Sequence, residues 1–265
     1  MSCENLYVWV TYSLRFFKLA VIPQSSSPAS AGLLAFNSCV LTVLPMMPTL
    51  VTERRLLRSH RAVIAFDEVG RGALAGPVCV GAVALCSPLT KFPEGLADSK
   101  VLSASRRAAM VAELETWVRA WAVGVATSRE VDRYGILGAQ ARAADRALKS
   151  VVLSLGVELE DCAALVDGGY DWLRRPYTKA ISHKMAAVEL VIRGDGSCAS
   201  LAAASVLAKV SRDRTMDRLA RKWNMYGWDK NKGYGSLAHR RAIVEYGVSP
   251  EHRVSWNLGI YDMVA

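Results

Sequence analysis

The chain of 265 residues carries 33 basic and 24 acidic side chains, a formal charge of +9, with 52% apolar and 22% charged residues. That balance excludes a disordered or collagen-like chain and leaves ample length for a buried core, in one large domain or two small ones. The six cysteines include no C-x-x-C pair, which argues against a disulfide scaffold or a zinc ribbon and for reduced thiols in a cytoplasmic setting.

Charge is spread unevenly. Residues 1–52 contain only Glu4, Arg15 and Lys18, and 19–52 contain no charge at all. The run 31–51 is long enough to cross a bilayer, but Asn37, Ser38, Pro45 and Pro48 interrupt it. Arg15 and Lys18 follow the first apolar patch rather than precede it, unlike a secretory signal. We expect 1–52 to be a disordered extension or the product of a start codon placed too early, with Met46 or Met47 as the true start. A membrane-associating tail and a packed accessory segment are the other readings, and no membrane partner is expected. One folded domain is expected over 53–265, where 31 basic residues outnumber 23 acidic ones and favour a polyanionic partner.

Within that domain, 61–67 (RAVIAFD) predicts a strand ending in carboxylates, and 77–86 (PVCVGAVALC) a second strand, with GRGALAG as the hairpin connection. Ser103 is placed to cap a helix through about 118, and 121–127 reads as a third strand. A helical stretch follows over 129–155, then a short buried strand over 163–167. Residues 187–193 read as a fifth strand, before a long helix over 200–223 and a shorter one over 236–246. Three early strands with short connections, then strands alternating with helices, indicate an α/β fold: one mixed five-stranded sheet flanked by helices, with a helical C-terminal region.

Three strands finish in acid: Asp67-Glu68, Asp167, and Asp195 just past the fifth. Ligands of open α/β sheets bind at strand ends. Four carboxylates in one small volume repel one another unless protons or cations neutralise them; hard divalent ions with oxygen ligands, such as Mg²⁺, would do so. Neighbours on a regular strand point to opposite faces, so Asp67 and Glu68 share a site only if the strand ends or bulges there, as Gly70 and Gly72 suggest. In Gly70-Arg71-Gly72 the missing side chains let backbone amides approach a ligand, and the arginine suits phosphate; a flexible hairpin is the plainer reading. Ser205, Lys209, Arg212 and Met216 fall on one stripe of the long helix, suiting a phosphate backbone or simply a solvated face. Tyr226, Trp228 and Tyr234 among Lys222, Lys230 and Lys232 suit stacking with phosphate contacts, or packing. The four histidines have no metal spacing and receive no catalytic role.

The ordered blocks Phe66-Asp67-Glu68-Val69-Gly70-Arg71-Gly72, Asp98-Ser99-Lys100, Leu165-Val166-Asp167-Gly168, Arg193-Gly194-Asp195, the stretch AAASVLAKVSRDR over 202–214, and Lys232-Gly233-Tyr234-Gly235 resemble bacterial ribonuclease HII over roughly 55–260. The resemblance implies a ribonuclease H-like fold and endonucleolytic hydrolysis of RNA in RNA–DNA hybrids, including single ribonucleotides embedded in duplex DNA, by a two-metal reaction leaving 5′-phosphate and 3′-hydroxyl ends. It implies metal binding by Asp67, Glu68, Asp167 and Asp195, with Mg²⁺ or Mn²⁺ as cofactor. It further implies recognition of the 2′-hydroxyl and adjacent phosphate by Gly70, Arg71 and Gly72, sugar stacking by Tyr234, and backbone contacts by Lys100, with a monomer as the working form. Three features depart from the family pattern: the N-terminal extension, the longer interval GYDWLRRPYTK between Asp167 and Asp195, and Arg193 where lysine is common. A non-catalytic nucleic-acid-binding module and another nuclease of the same fold are the rival readings.

Overall fold

The computed structural model describes residues 9–12, 15–18, 47–174 and 181–261, with side chains from residue 47 onward apart from that of Ile181. The chain divides into two compact units, Met1–Met46 and Met47–Ala265. In the first, β1 (Trp9–Tyr12) and β2 (Arg15–Lys18) pair antiparallel, Trp9 opposite Lys18. The rest of the expected extension up to residue 46, with most of the apolar run 31–51, lies outside the described residues, as do 175–180 of the interval before Asp195.

The second unit begins at Met47, six residues ahead of the expected boundary at 53. Leu50 is buried, and Thr49 exchanges backbone hydrogen bonds with the start of a long helix: its N–H donates to Ser197 O and its carbonyl accepts from Ala199 N–H. The short helix α1 (Val51–Leu56) buries Glu53 completely, and Glu53 Oε1 accepts from the backbone N–H of Ser200 at 2.9 Å and from its hydroxyl at 2.7 Å. Glu53 thus satisfies donors that the helix cannot satisfy itself. Glu53→Ala is expected to destabilise the protein by about 2 kcal/mol; an unchanged urea midpoint would show that this cap is idle.

β3 (Ala62–Val69), β4 (Val78–Cys86), α2 (Ala104–Trp117), β5 (Ala120–Ala126), α3 (Ser128–Leu155), β6 (Cys162–Asp167), β7 (Ala187–Val191), α4 (Ala199–Lys222), α5 (Trp228–Asn231) and α6 (Leu237–Tyr246) follow. The strands form one mixed sheet in the order β5-β4-β3-β6-β7. β3 pairs antiparallel with β4 and parallel with β6, and β6 pairs parallel with β7. The two-residue period sorts β3 by face. Ala62, Ile64 and Phe66 pack with α3, while Val63 and Ala65 join Leu56 of α1 and Leu201 of α4. Ser103 caps α2 as expected, accepting from Arg106 N–H, and Thr127 with Glu130 forms a capping box at α3. Beyond α4, Leu74, Met216, Tyr226, Trp228 and Ile243 form the separate core of the C-terminal lobe. Among the described residues no helix is long and apolar enough to cross a membrane.

Candidate active site

Asp67 follows Val63 and Ala65 on the α4 face of β3, and Gly81 of β4 is its cross-strand neighbour. A β-carbon on Gly81 would stand 2.4 Å from the carbonyl oxygen of Ala204, so the bare glycine lets α4 lie directly on the sheet. That approach brings Ser205 into hydrogen bonding with the Asp67 carboxylate. β6 runs parallel beside β3 with Phe66 opposite Val166, and one step further each strand presents its aspartate. Asp195 arrives on a tight turn, Gly194–Gly196, just before α4, and Gly194 N–H donates to Asp167 Oδ1 at 2.6 Å. One carboxylate oxygen from each of Asp67, Asp167 and Asp195 lies within 4.8 Å of the others.

Gathering these charges is unfavourable. Burial, then the charge of Asp167, holds the Asp67 carboxyl well above its ordinary range. Burial and Asp195 raise Asp167, against the stabilising Gly194 N–H. The nearest relief is Lys100, whose ammonium is 2.7 Å from Asp195 Oδ2 and 3.6 Å from Asp98 Oδ1. Burial opposes the charge of Lys100, but its bond to Asp195 prevails and its pKa is raised. Three converging carboxylate oxygens are a ligand set suited to a hard divalent cation.

β3 neither ends nor bulges at Asp67-Glu68; it continues to Val69, with Asp67 opposite Gly81 and Glu68 opposite Val80. Glu68 therefore points away from the α4 face and stands outside the triad, with Arg71 Nη1 at 3.7 Å from its Oε1. Burial raises its pKa and Arg71 offsets part of that rise, while the charge of Asp167 adds to it.

The other expected residues divide between open surface and interior. In the glycine loop, Gly70 has φ +83° and its α-carbon abuts Arg212, whereas a β-carbon on Gly72 would meet nothing within 4 Å. The Arg71 side chain is 56% exposed. Tyr234 is partly exposed with the Arg212 guanidinium 5.5 Å from its ring centre. Tyr226 and Trp228, by contrast, are buried and stacked at 5.1 Å, so they pack the lobe. The α4 stripe is an internal seam rather than a solvated face: Ser205, Arg212 and Met216 are buried, and Lys209 is tied to Asp213 at 2.7 Å.

Several residues contribute unannounced by the sequence. Ser99, the middle of Asp98-Ser99-Lys100, is buried with its hydroxyl 2.8 Å from that of Ser205, pinning the Lys100 loop to α4. His239 Nδ1 lies 2.9 Å from the Tyr234 carbonyl, and its Nε2 accepts from Trp228 Nε1–H and lies 3.1 Å from His252 Nε2. Burial pulls both imidazoles down, His252 to about 4, so they form a neutral relay that fixes the backbone at Tyr234.

The family model for ribonuclease HII matches residues 64–258. The chain belongs to the ribonuclease HII family. Ribonuclease HII of Streptomyces avermitilis is 39% identical over 216 residues, covering 80% of this chain and 85% of the relative, and that of Paracoccus denitrificans is 44% identical over 210 residues, covering 79% and 91%. Among solved structures, the ribonuclease H2 of Pyrococcus horikoshii aligns with a TM-score of 0.57 at 23% identity, covering 76% of this chain and 98% of that one. A Bst ribonuclease HIII in complex with Mn²⁺ aligns at 0.58 and 21% identity, covering 76% and 67%. These structural likenesses show the same fold. As a ribonuclease HII family member the protein is a metal-dependent nuclease of ribonuclease H type, and Asp67, Asp167 and Asp195 form an acidic triad able to bind the metal.

Proposed function

We propose that this enzyme hydrolyses the RNA strand of RNA–DNA hybrids and incises duplex DNA beside single embedded ribonucleotides, leaving 5′-phosphate and 3′-hydroxyl ends. The observation that carries the reading is the buried aspartate triad in a chain whose glycine loop, at the end of the strand bearing Asp67, keeps open space over Gly72. Asp67, Asp167 and Asp195 would hold Mg²⁺ or Mn²⁺, with Glu68, which leaves the strand on the other face but still feels the charge of Asp167, as the fourth carboxylate at the edge of the site. Bound there as a pair, such ions would supply the activation of a water nucleophile and the stabilisation of the leaving oxygen in an in-line phosphoryl displacement.

The chain's own residues supply recognition. Gly70, Arg71 and Gly72 receive the 2′-hydroxyl and its neighbouring phosphate, and a deoxynucleotide offers no such donor and acceptor. Tyr234 stacks on the adjoining deoxyribose. Lys100, in reach of Asp195, holds the phosphodiester backbone, with Lys209 and the α4 segment that Ser205 anchors beside it. The free thiols of Cys79, Cys86, Cys162 and Cys198 suit the reducing cytoplasm.

The test is a labelled DNA duplex with one ribonucleotide, incubated with Mg²⁺ or Mn²⁺ beside an all-DNA control. Incision at the ribonucleotide alone is the expected result; equal cutting of the control, or no cutting, defeats the reading. Because a β-carbon on Gly72 meets no protein atom, Gly72→Ala should fold with an unchanged Tm. It should nonetheless lose about tenfold or more in kcat/KM at the ribonucleotide, roughly 1.4 kcal/mol of transition-state binding. Full activity in that variant would remove the loop from recognition.

A further inference from the structure

Beneath the glycine loop lie two fully buried arginines, Arg212 of α4 and Arg253 of the C-terminal segment. Arg253 donates from Nη2 to the carbonyls of Gly70 and Gly76 at 2.7 and 3.1 Å, from Nη1 to Arg71 O at 2.8 Å, and from Nε to Gly76 O at 3.2 Å. Arg212 donates to Pro77 O at 2.9 Å, Ala75 O at 3.3 Å and Lys232 O at 2.9 Å. Among the described residues neither guanidinium has a carboxylate within ion-pair distance. Their remaining neighbours are rings: Tyr234 for Arg212, and Trp256, 5.0 Å away, for Arg253. The loop's outer face is thereby left to a ligand while its inner carbonyls are held at fixed points. Burying two like charges against carbonyl dipoles and rings is unfavourable, and burial with Arg212 alongside pulls Arg253 down to about 10, against the more distant charge of Asp132.

We propose that Arg253 is a positioning residue for ribonucleotide recognition: it fixes the carbonyls of Gly70, Arg71 and Gly76, so that the C-terminal segment sets the discrimination between ribose and deoxyribose. The inference rests on the proposed reading of the loop. The segment is itself anchored, since Asp132 of α3 accepts from the amides of Val254 and Ser255 at 3.2 and 3.0 Å and from the Ser255 hydroxyl at 2.6 Å. Lysine at 253 keeps a cation but lacks the planar fork that reaches three carbonyls at once.

The experiment compares wild type with Arg253→Lys and Asp132→Asn on the single-ribonucleotide duplex and its all-DNA counterpart, together with the Mg²⁺ midpoint of activation. For Arg253→Lys the ratio of ribonucleotide to all-DNA cutting should fall by about 100-fold, as a misplaced recognition element requires, with the Mg²⁺ midpoint unchanged. Asp132→Asn, which loosens the segment from a partly exposed position, should lower the same ratio severalfold and carries the test if Arg253→Lys fails to fold. A merely structural role would reduce turnover on both duplexes alike, leaving the ratio at the wild-type value, and that result overturns the inference. If wild type itself shows no preference for the ribonucleotide, the proposed function fails rather than the role of Arg253.

Discussion

Asp67→Asn should abolish incision, by at least about a thousandfold in kcat, while making the metal-free protein more stable. The two effects have one origin. The folded-state pKa of Asp67 is raised above its ordinary 3.8, by burial first and by Asp167 next. Between the ordinary value and the raised one the folded state binds more protons than the unfolded state, so stability falls as pH rises through that window. Above it the full penalty of a buried charge beside other carboxylates applies. Asparagine removes that penalty and still offers Ser205 a partner. Thermal melts without metal should therefore show a higher Tm for Asp67→Asn at neutral pH, with the gap to wild type closing on acidification. A lower Tm at neutral pH would mean that the triad is held together by something other than strain awaiting a cation.

Gly70→Ala should lose about 3 kcal/mol of stability or more, together with ribonucleotide cutting, unlike the neighbouring Gly72→Ala. The backbone at Gly70 has φ +83°, a region that costs a residue with a β-carbon about 1–2 kcal/mol. The added carbon would also sit 2.0 Å from Arg212 Nε. Arg212 has no easy retreat, because Pro77, Ala75 and Lys232 carbonyls already take its donors and moving it strands a buried cation. Chemical denaturation measures the loss; a variant within about 1 kcal/mol of wild type would show that Arg212 gives way freely.

Much of the fold is legible in the sequence because the strands advertise themselves. RAVIAFD over 61–67 is apolar on both faces, and β3 is buried along nearly all its length between α3 and α4. Asp67 and Asp167 are legible as a site because each acid comes at the outlet of such a run, on strands that prove to be parallel neighbours. The course of the strand at Glu68 is less legible: Gly70 and Gly72 suggest an end or bulge, but β3 stays regular through Asp67-Glu68 and the two side chains leave on opposite faces. The start of α1, Val51-Thr52, and the buried Leu50 fall in the uncharged run that reads as extension, and the long-range backbone bonds of Thr49 to Ser197 and Ala199 show that they belong to the body. The α4 stripe reads as polar surface because arginine is ordinarily exposed. Met216 on the same stripe was the sign that this face is covered, and the carbonyls that bury Arg212 come from segments far away in sequence. Arg253 and the His239–His252 relay carry no local pattern at all; their partners are set by tertiary folding alone.

The central physical claim is that Asp67, Asp167 and Asp195 converge to hold divalent cations. Titration of Mn²⁺ into the wild-type protein and Asp167→Asn, followed by electron paramagnetic resonance of the free ion, tests it most directly. The account predicts saturable binding by the wild type at neutral pH and a loss of affinity of at least about tenfold, or ~1.4 kcal/mol, in the variant. Equal Mn²⁺ uptake by the two proteins would contradict it.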